Sequence, residues 1–282
     1  MKHTLVFIVL LLMNSILYGQ ILPIDNKVNW DKYEIRYSEN HKINEVKKIK
    51  DDLLVYLDDN KLLEKNLNNF HFIDYDFDGN LELIYSGDAG TETERTLIFE
   101  LKDTSYIKCF DRFGKIIEIR SELSCNLPLL SFTLLQKQCC GGFSNIYEVY
   151  QPTMNNSGDH ELKISAKYCT LSGVDVPKSF FDDPILFEVK NDIYYLRLNP
   201  FIDKESENED LHINGNIIAE YQNGSKGYAV ASKQDEEGRT WWFVFMINNK
   251  KPLMSIFDGG DNNKFEYYSL GWMSSRYLEE MK

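Results

Sequence analysis

Between Lys42 and Leu57 the apolar residues Ile43, Val46, Ile49, Leu53 and Leu57 recur every three or four positions, and Lys47, Lys48, Lys50, Asp51 and Asp52 fall largely between them. That period is one face of an α-helix, so an amphipathic helix is expected over 42–57. A second, shorter helical stretch is expected around 61–67. From His71 the texture changes to short β-favouring runs divided by Gly, Asp and Asn: 81–86, 96–101, 106–110, 116–119, 131–136, 146–151 and 162–169. Such spacing predicts an antiparallel β domain. The polar stretch 155–159 reads as a loop, and Val176-Pro177 to Asp183-Pro184 as an irregular connection to a second domain joining near Pro184.

The first residues follow another pattern. Lys2 and His3 precede the apolar run Leu5 to Met13, and polar and small residues end in Tyr18-Gly19-Gln20, the layout of a secretory signal peptide cleaved near Gly19 or Gln20. The run is shorter than the roughly 20 residues a spanning helix needs, so no stable membrane insertion is expected after cleavage. The resulting division is a leader over 1–20, a β-rich domain over 27–184 and a C-terminal domain over 191–282. The expected location is secreted or periplasmic.

Composition adds two constraints. With 282 residues the chain is long enough for two cores, and its 17 Tyr and 17 Phe favour strands as the core-building element. The 44 acidic against 31 basic side chains leave a net charge of -13, which argues against nucleic acid as a partner and favours cations and neutral or basic ligands. Five cysteines, Cys109, Cys125, Cys139, Cys140 and Cys169, make one or two structural disulfides the expectation in an oxidising compartment, with at least one thiol left over.

The most specific local pattern is Asp74-Tyr75-Asp76-Phe77-Asp78-Gly79-Asn80-Leu81-Glu82, followed by the strand-like Leu83-Ile84-Tyr85. Carboxylates at alternate positions, bent by a glycine, can turn inward around one hard cation, which takes six to eight oxygens in a tolerant geometry. The EF-hand version needs a Glu at the twelfth position, where this chain has Tyr85. The spacing instead resembles the calcium loop of integrin-type FG-GAP and VCBS repeats. That resemblance implies a calcium site with Asp74, Asp76, Asp78 and Glu82 as side-chain ligands and Asn80 contributing mainly its backbone carbonyl. It spans about a dozen residues in a single copy, with Glu where the family has Asp at the ninth position. The alternative is an acidic turn that only keeps the hairpin soluble. A second acidic loop, Asp258-Gly259-Gly260-Asp261-Asn262, lacks the alternation and reads as a turn.

The C-terminal third carries Tyr194-Tyr195-Leu-Arg-Leu-Asn-Pro200, then Gly224-Ser-Lys-Gly-Tyr-Ala-Val230, Gly238-Arg-Thr-Trp241-Trp242-Phe-Val-Phe245 and Gly271-Trp272-Met-Ser-Ser-Arg-Tyr277-Leu278. In that order these segments resemble a bacterial-type SH3 domain with insertions at 203–210 and 248–268. The fold class expected is therefore mainly β: an amphipathic helix, an antiparallel β domain and a C-terminal SH3-like small β-barrel. Alternation along a strand puts Trp241 and Trp242 on opposite faces, so one should turn outward. It would either line a peptide groove with Tyr195, Tyr268, Trp272 and Tyr277 or pack against the other domain.

No H-E-x-x-H, G-x-S-x-G, phosphate-cradling glycine loop or dinucleotide fingerprint occurs. The functional expectation is an exported, non-enzymatic protein whose SH3-like barrel contacts cell-wall peptides or an extracellular protein. An exported inhibitor or immunity-type partner protein is one alternative. A cell-wall hydrolase using Cys140 and His160 is another.

Overall fold

A computed structural model describes residues 39–49, 53, 67–76, 78–89, 94–124, 127–137, 144–155, 160–209, 211–257 and 268–281. The leader, the helical stretch 61–66, Cys125, Cys139, Cys140 and the loop 258–262 lie outside them. The protein is mainly β, as the sequence predicts, and its described residues divide into two compact units, one within 24–139 and 147–165 and the other within 140–146 and 166–282. No described helix is long and apolar enough to cross a membrane.

The first unit is layered. Helix α1 (Glu39–Lys48) lays the predicted face, continued by Ile49 and Leu53, onto Phe70, Phe72, Leu83, Tyr85, Leu97 and Phe99. It is also tied by polar bonds: Lys42 Nζ donates to the Phe70 carbonyl (2.8 Å), and Tyr106 OH to Glu45 (3.0 Å). The face under the helix belongs to an antiparallel sheet of β1 (Phe70–Ile73), β2 (Glu82–Asp88), β3 (Glu94–Lys102) and β4 (Ser105–Phe113), paired in that order. Its other face, Ile73, Ile84, Ile98 and Phe110, packs on residues of β5 (Lys115–Ser124), β6 (Leu127–Lys137) and β7 (Ser144–Met154). The inner strand β2 is therefore buried on both faces through Gly87, which is why Leu83-Ile84-Tyr85 follow one another without polar alternation. Strand β8 (His160–Leu171) follows β7 in the strand order, and residues 160–165 belong to this unit.

All seven predicted strands form, and each runs longer than its apolar stretch. Backbone ladders extend through polar flanks such as Glu94-Arg95 and Lys115, which hydropathy does not mark.

The second unit is built on the antiparallel meander β14 (Lys226–Gln234), β15 (Thr240–Met246) and β17 (Tyr268–Ser274). Strand β9 (Ile185–Val189) flanks β14, and after a 3₁₀ turn at Ser275–Tyr277 the last strand, β18 (Leu278–Glu280), returns to pair with β9. Between β9 and β14 the chain makes a long excursion. There β10 (Ile193–Arg197) pairs with β13 (Ile217–Gln222), and the short ladder β11 (Glu207–Asn208) with β12 (Ile213–Asn214) projects beyond them. Strand β16 (Met254–Ser255) adds to β13. The expected closed barrel is not seen: among the described residues β9 and β10, neighbours in sequence, pair with different strands, and the sheet does not close.

Buried Arg197 holds the excursion in place. Its Nη1 donates to Asn216 Oδ1 (2.8 Å) and to the Asp203 carbonyl (3.3 Å), so the acidic insertion is stapled to the end of β10. Opposite Arg197 in the ladder stands Trp272, next to Gly271. A Cβ on Gly271 would lie 2.8 Å from the Arg197 carbonyl oxygen and 2.9 Å from Leu196 Cγ, so β10 and β17 meet there only because residue 271 has no side chain. Gly271→Ala is expected to lower stability by about 1–3 kcal/mol, the usual cost of overpacking, read from the midpoint of denaturant unfolding. An unchanged midpoint would show that this approach is not tight.

Candidate metal centre

The β1–β2 hairpin closes on the pair Ile73↔Glu82, so the acidic segment 74–81 is its turn. Asx-type bonds fold that turn. Asp78 N–H donates to Asp76 Oδ1 (3.2 Å) and Asn80 N–H to Asp78 Oδ1 (2.7 Å), each spanning two residues, and Gly79 N–H donates to Asp74 Oδ2 (3.1 Å). Gly79 sits at φ +91°, in the left-handed region that a Cβ disfavours, and this permits the bend. Tyr75 fixes the turn from below: it is 1% exposed, its ring packs on Phe132, and its hydroxyl donates to Glu100 Oε1 (3.4 Å).

The result is convergence. One carboxylate oxygen from each of Asp74, Asp76 and Asp78 lies within 4.8 Å of the others, a group that can hold a metal ion. Glu82 stands beside them at the start of β2, 2% exposed, with Oε2 accepting from Tyr75 N–H (3.0 Å). Burial, with added repulsion from Asp76, Asp78 and Asp74, pushes the Glu82 carboxyl up to about 8 although the Tyr75 N–H opposes the shift. Asn80 donates to Asp78 through both its backbone N–H and its Nδ2 (3.0 Å). These are oxygen donors of high negative charge on a glycine-bent turn, the chemistry a hard divalent cation requires.

A further side chain reaches this centre from far along the chain. His160, the first residue of β8, places Nδ1 2.8 Å from Asp76 Oδ2, with the two side chains 26% and 8% exposed. Nothing in the Asp-rich motif announces it; 84 residues separate the partners, and only strand order brings them together. Its engagement with Asp76 also bears on the hydrolase reading. Cys140, the other member of that pair, lies outside the described residues, and the two described cysteines are unsuited to nucleophilic work. Both are free rather than bridged, so neither contributes an expected disulfide. Burial pushes each thiol up to about 12. Cys169 is fully enclosed; Cys109 is exposed as a residue, but its thiol is turned onto the Ile98 carbonyl (3.4 Å).

The aromatic residues of the second unit are distributed otherwise than expected. Trp241 and Trp272 are each 1% exposed and Trp242 9%, so no tryptophan of β15 turns outward. The reason is that β15 lies between two neighbours with both of its faces covered. Trp242, Val244 and Met246 enter one core cluster, whereas Phe243 packs on Trp272 and Phe245 on Tyr168. The buried indoles satisfy their N–H groups internally, Trp241 at Asp235 Oδ2 (2.9 Å) and Trp272 at the Asp175 carbonyl (2.6 Å). Tyr195 and Tyr268 are half-buried and Tyr277 is exposed, so these three alone of the six present surface.

An open concavity of this unit lies elsewhere, in a cleft of about 550 Å³ between the segments 199–202 and 233–239. Phe201 and Ile202, each nearly half exposed, form one side, and Asp235, Glu236 and Glu237 the other. Lys233 and Arg239 line it as well, paired with Asp175 (3.1 Å) and Glu237 (3.9 Å).

Comparison with protein-family models, curated proteins and solved structures finds no match for this chain. The functional reading therefore rests on the geometry.

The Glu82 shift has a measurable sign. Without a cation the folded chain takes up a proton at Glu82 between the ordinary glutamate value of 4.5 and about 8, so stability falls as pH rises through that window. Unfolding midpoints measured in chelator are expected to decline from pH 4.5 to pH 8, and Glu82→Gln to flatten the decline. A midpoint that rises across the window in the wild type would contradict the assignment.

Proposed function

We propose that the chain is an exported, non-catalytic binding protein in which a bound divalent cation stiffens the first unit while the second unit contacts a partner. The cation is calcium, held by Asp74, Asp76, Asp78, Glu82 and the Asn80 carbonyl. The observation that carries this reading is the convergence of three Asp carboxylates beside buried Glu82. Oxygen donors of high charge on a loop that closes by its own Asx bonds favour calcium over magnesium, which demands a near-ideal octahedron and keeps several waters. When bound, the ion supplies positive charge that offsets carboxylate repulsion and draws the turn into one conformation.

The affinity such a site needs outside cells is modest, with dissociation constants of about 10⁻⁴ to 10⁻³ M for extracellular modules. Calcium calorimetry on the mature chain is expected to give one saturable event that is lost in the Asp76→Ala, Asp78→Ala double variant. No heat at millimolar calcium would reduce the turn to an acidic loop.

For the second unit we retain the SH3-like reading, in support of which stand the three-stranded meander, the long excursion before it and a last strand returning to the first. The partner is a cell-wall peptide or an extracellular protein. Its contact surface is better assigned to the cleft beside Phe201 and Ile202 than to the buried tryptophans, and four carboxylates against two cations favour a basic partner with an apolar side chain. An inhibitor of a basic extracellular target would use the same surface. Trp241, bonded to Asp235 on the cleft wall, is a natural reporter. A lysine-containing peptidoglycan peptide is expected to change the indole fluorescence saturably, with binding weakened by Glu236→Lys, Glu237→Lys; equal binding by that variant would remove the cleft from the account.

A further inference from the structure

We propose that His160 is a positioning residue of the cation centre: by fixing the Asp76 carboxylate from β8 it sets the affinity of the loop for its ion. The inference rests on the cation reading above and goes beyond it by adding a residue that contributes no ligand atom.

Asp76 differs from its neighbours in how it is held. Asp78 is bonded by Asn80, two residues on, inside the turn, and Asp74 accepts from Gly79 N–H. Asp76 uses Oδ1 inside the turn, at Asp78 N–H, and Oδ2 outside it, at the His160 ring. With both oxygens engaged, the carboxylate plane cannot rotate without breaking one of the two bonds. Each oxygen keeps a further lone pair for a cation. A group already fixed in its ligating orientation loses little freedom on binding, and the saving appears as affinity.

His160 is itself well supported. Its neighbour Glu161 accepts at its carbonyl from Thr153 Oγ1 (3.1 Å), Ser165 Oγ donates to the Val149 carbonyl (3.2 Å), and Leu162 packs against the core that also holds Tyr75 and Ile73. The ring therefore projects from a strand registered to the same core as the turn. It joins two segments that both pack on that core. Hydrogen-bonded outer partners of metal ligands commonly carry 10- to 100-fold in affinity.

The experiment is calcium calorimetry on the full mature chain in three forms: wild type, His160→Leu and His160→Asn. Asn can place an amide N–H where the ring Nδ1 stands, whereas Leu keeps bulk without a donor. His160→Leu is expected to raise the dissociation constant about 10- to 100-fold, and His160→Asn to stay within about threefold of wild type. Thermal midpoints in chelator are expected to agree among the three, with only His160→Leu losing part of the calcium-induced rise. Wild-type affinity in His160→Leu would overturn the inference and leave the cation site standing. Equal weakening in His160→Asn, or a midpoint in chelator lowered as much as in calcium, would overturn it in favour of a packing role. Absence of calcium binding by the wild type would remove the cation reading and this inference with it.

Discussion

The convergence of Asp74, Asp76 and Asp78 on one hairpin turn, beside the buried carboxyl of Glu82, is the constraint on which the shape of the site depends. Within 4.8 Å of one another and at an effective dielectric near 20, two ionised Asp side chains repel by roughly 3 kcal/mol, less where Asp78 faces solvent. A protein that is only marginally stable does not place such a group beside a buried glutamate without compensation. Part of it is built in: backbone N–H groups of Tyr75, Asp78, Gly79 and Asn80 point at carboxylate oxygens. The divalent cation proposed for this turn would offset the rest, and the same bonds that lessen the repulsion give the turn its shape.

The turn holds its shape because its base cannot move. Strand β2 is buried on both faces, under α1 on one side and against β5 to β7 on the other, and Tyr75 is locked between Phe132 and Glu100. Burial of the hairpin is thus converted into position of the carboxylates. The second unit uses a comparable device for its insertion, where buried Arg197 and Asn216 clamp the acidic excursion to β10 and leave Phe201 and Ile202 at the surface.

What the sequence made legible follows from which forces are local. The helix face Val46-Ile49-Leu53, the seven strands and the Asp-rich turn depend on periodicity and on contacts a few residues apart, and the order of residues states them directly. The centre's three Asp side chains converge as their spacing implies. Trp241 and Trp242 were misjudged because alternation tells which residues oppose one another but not whether a strand has one covered face or two; β15 has two. The barrel expectation met the same limit, since closure depends on which strands pair across long intervals. His160 could not be linked to the Asp-rich turn from the sequence because its partner lies 84 residues away, and Glu82 looked like one ligand among five when the fold buries it and pushes its carboxyl up to about 8.

The central claim, that this turn is a cation site and not merely an acidic loop, is tested most directly by sensitised terbium luminescence. Tb³⁺ has the charge and oxygen preference to replace calcium, and Tyr75 lies in the chain between two of the ligands. Excitation of tyrosine is predicted to give terbium emission that saturates at one ion per chain and is displaced by calcium. Emission that never saturates, or that calcium leaves unchanged, would contradict the account.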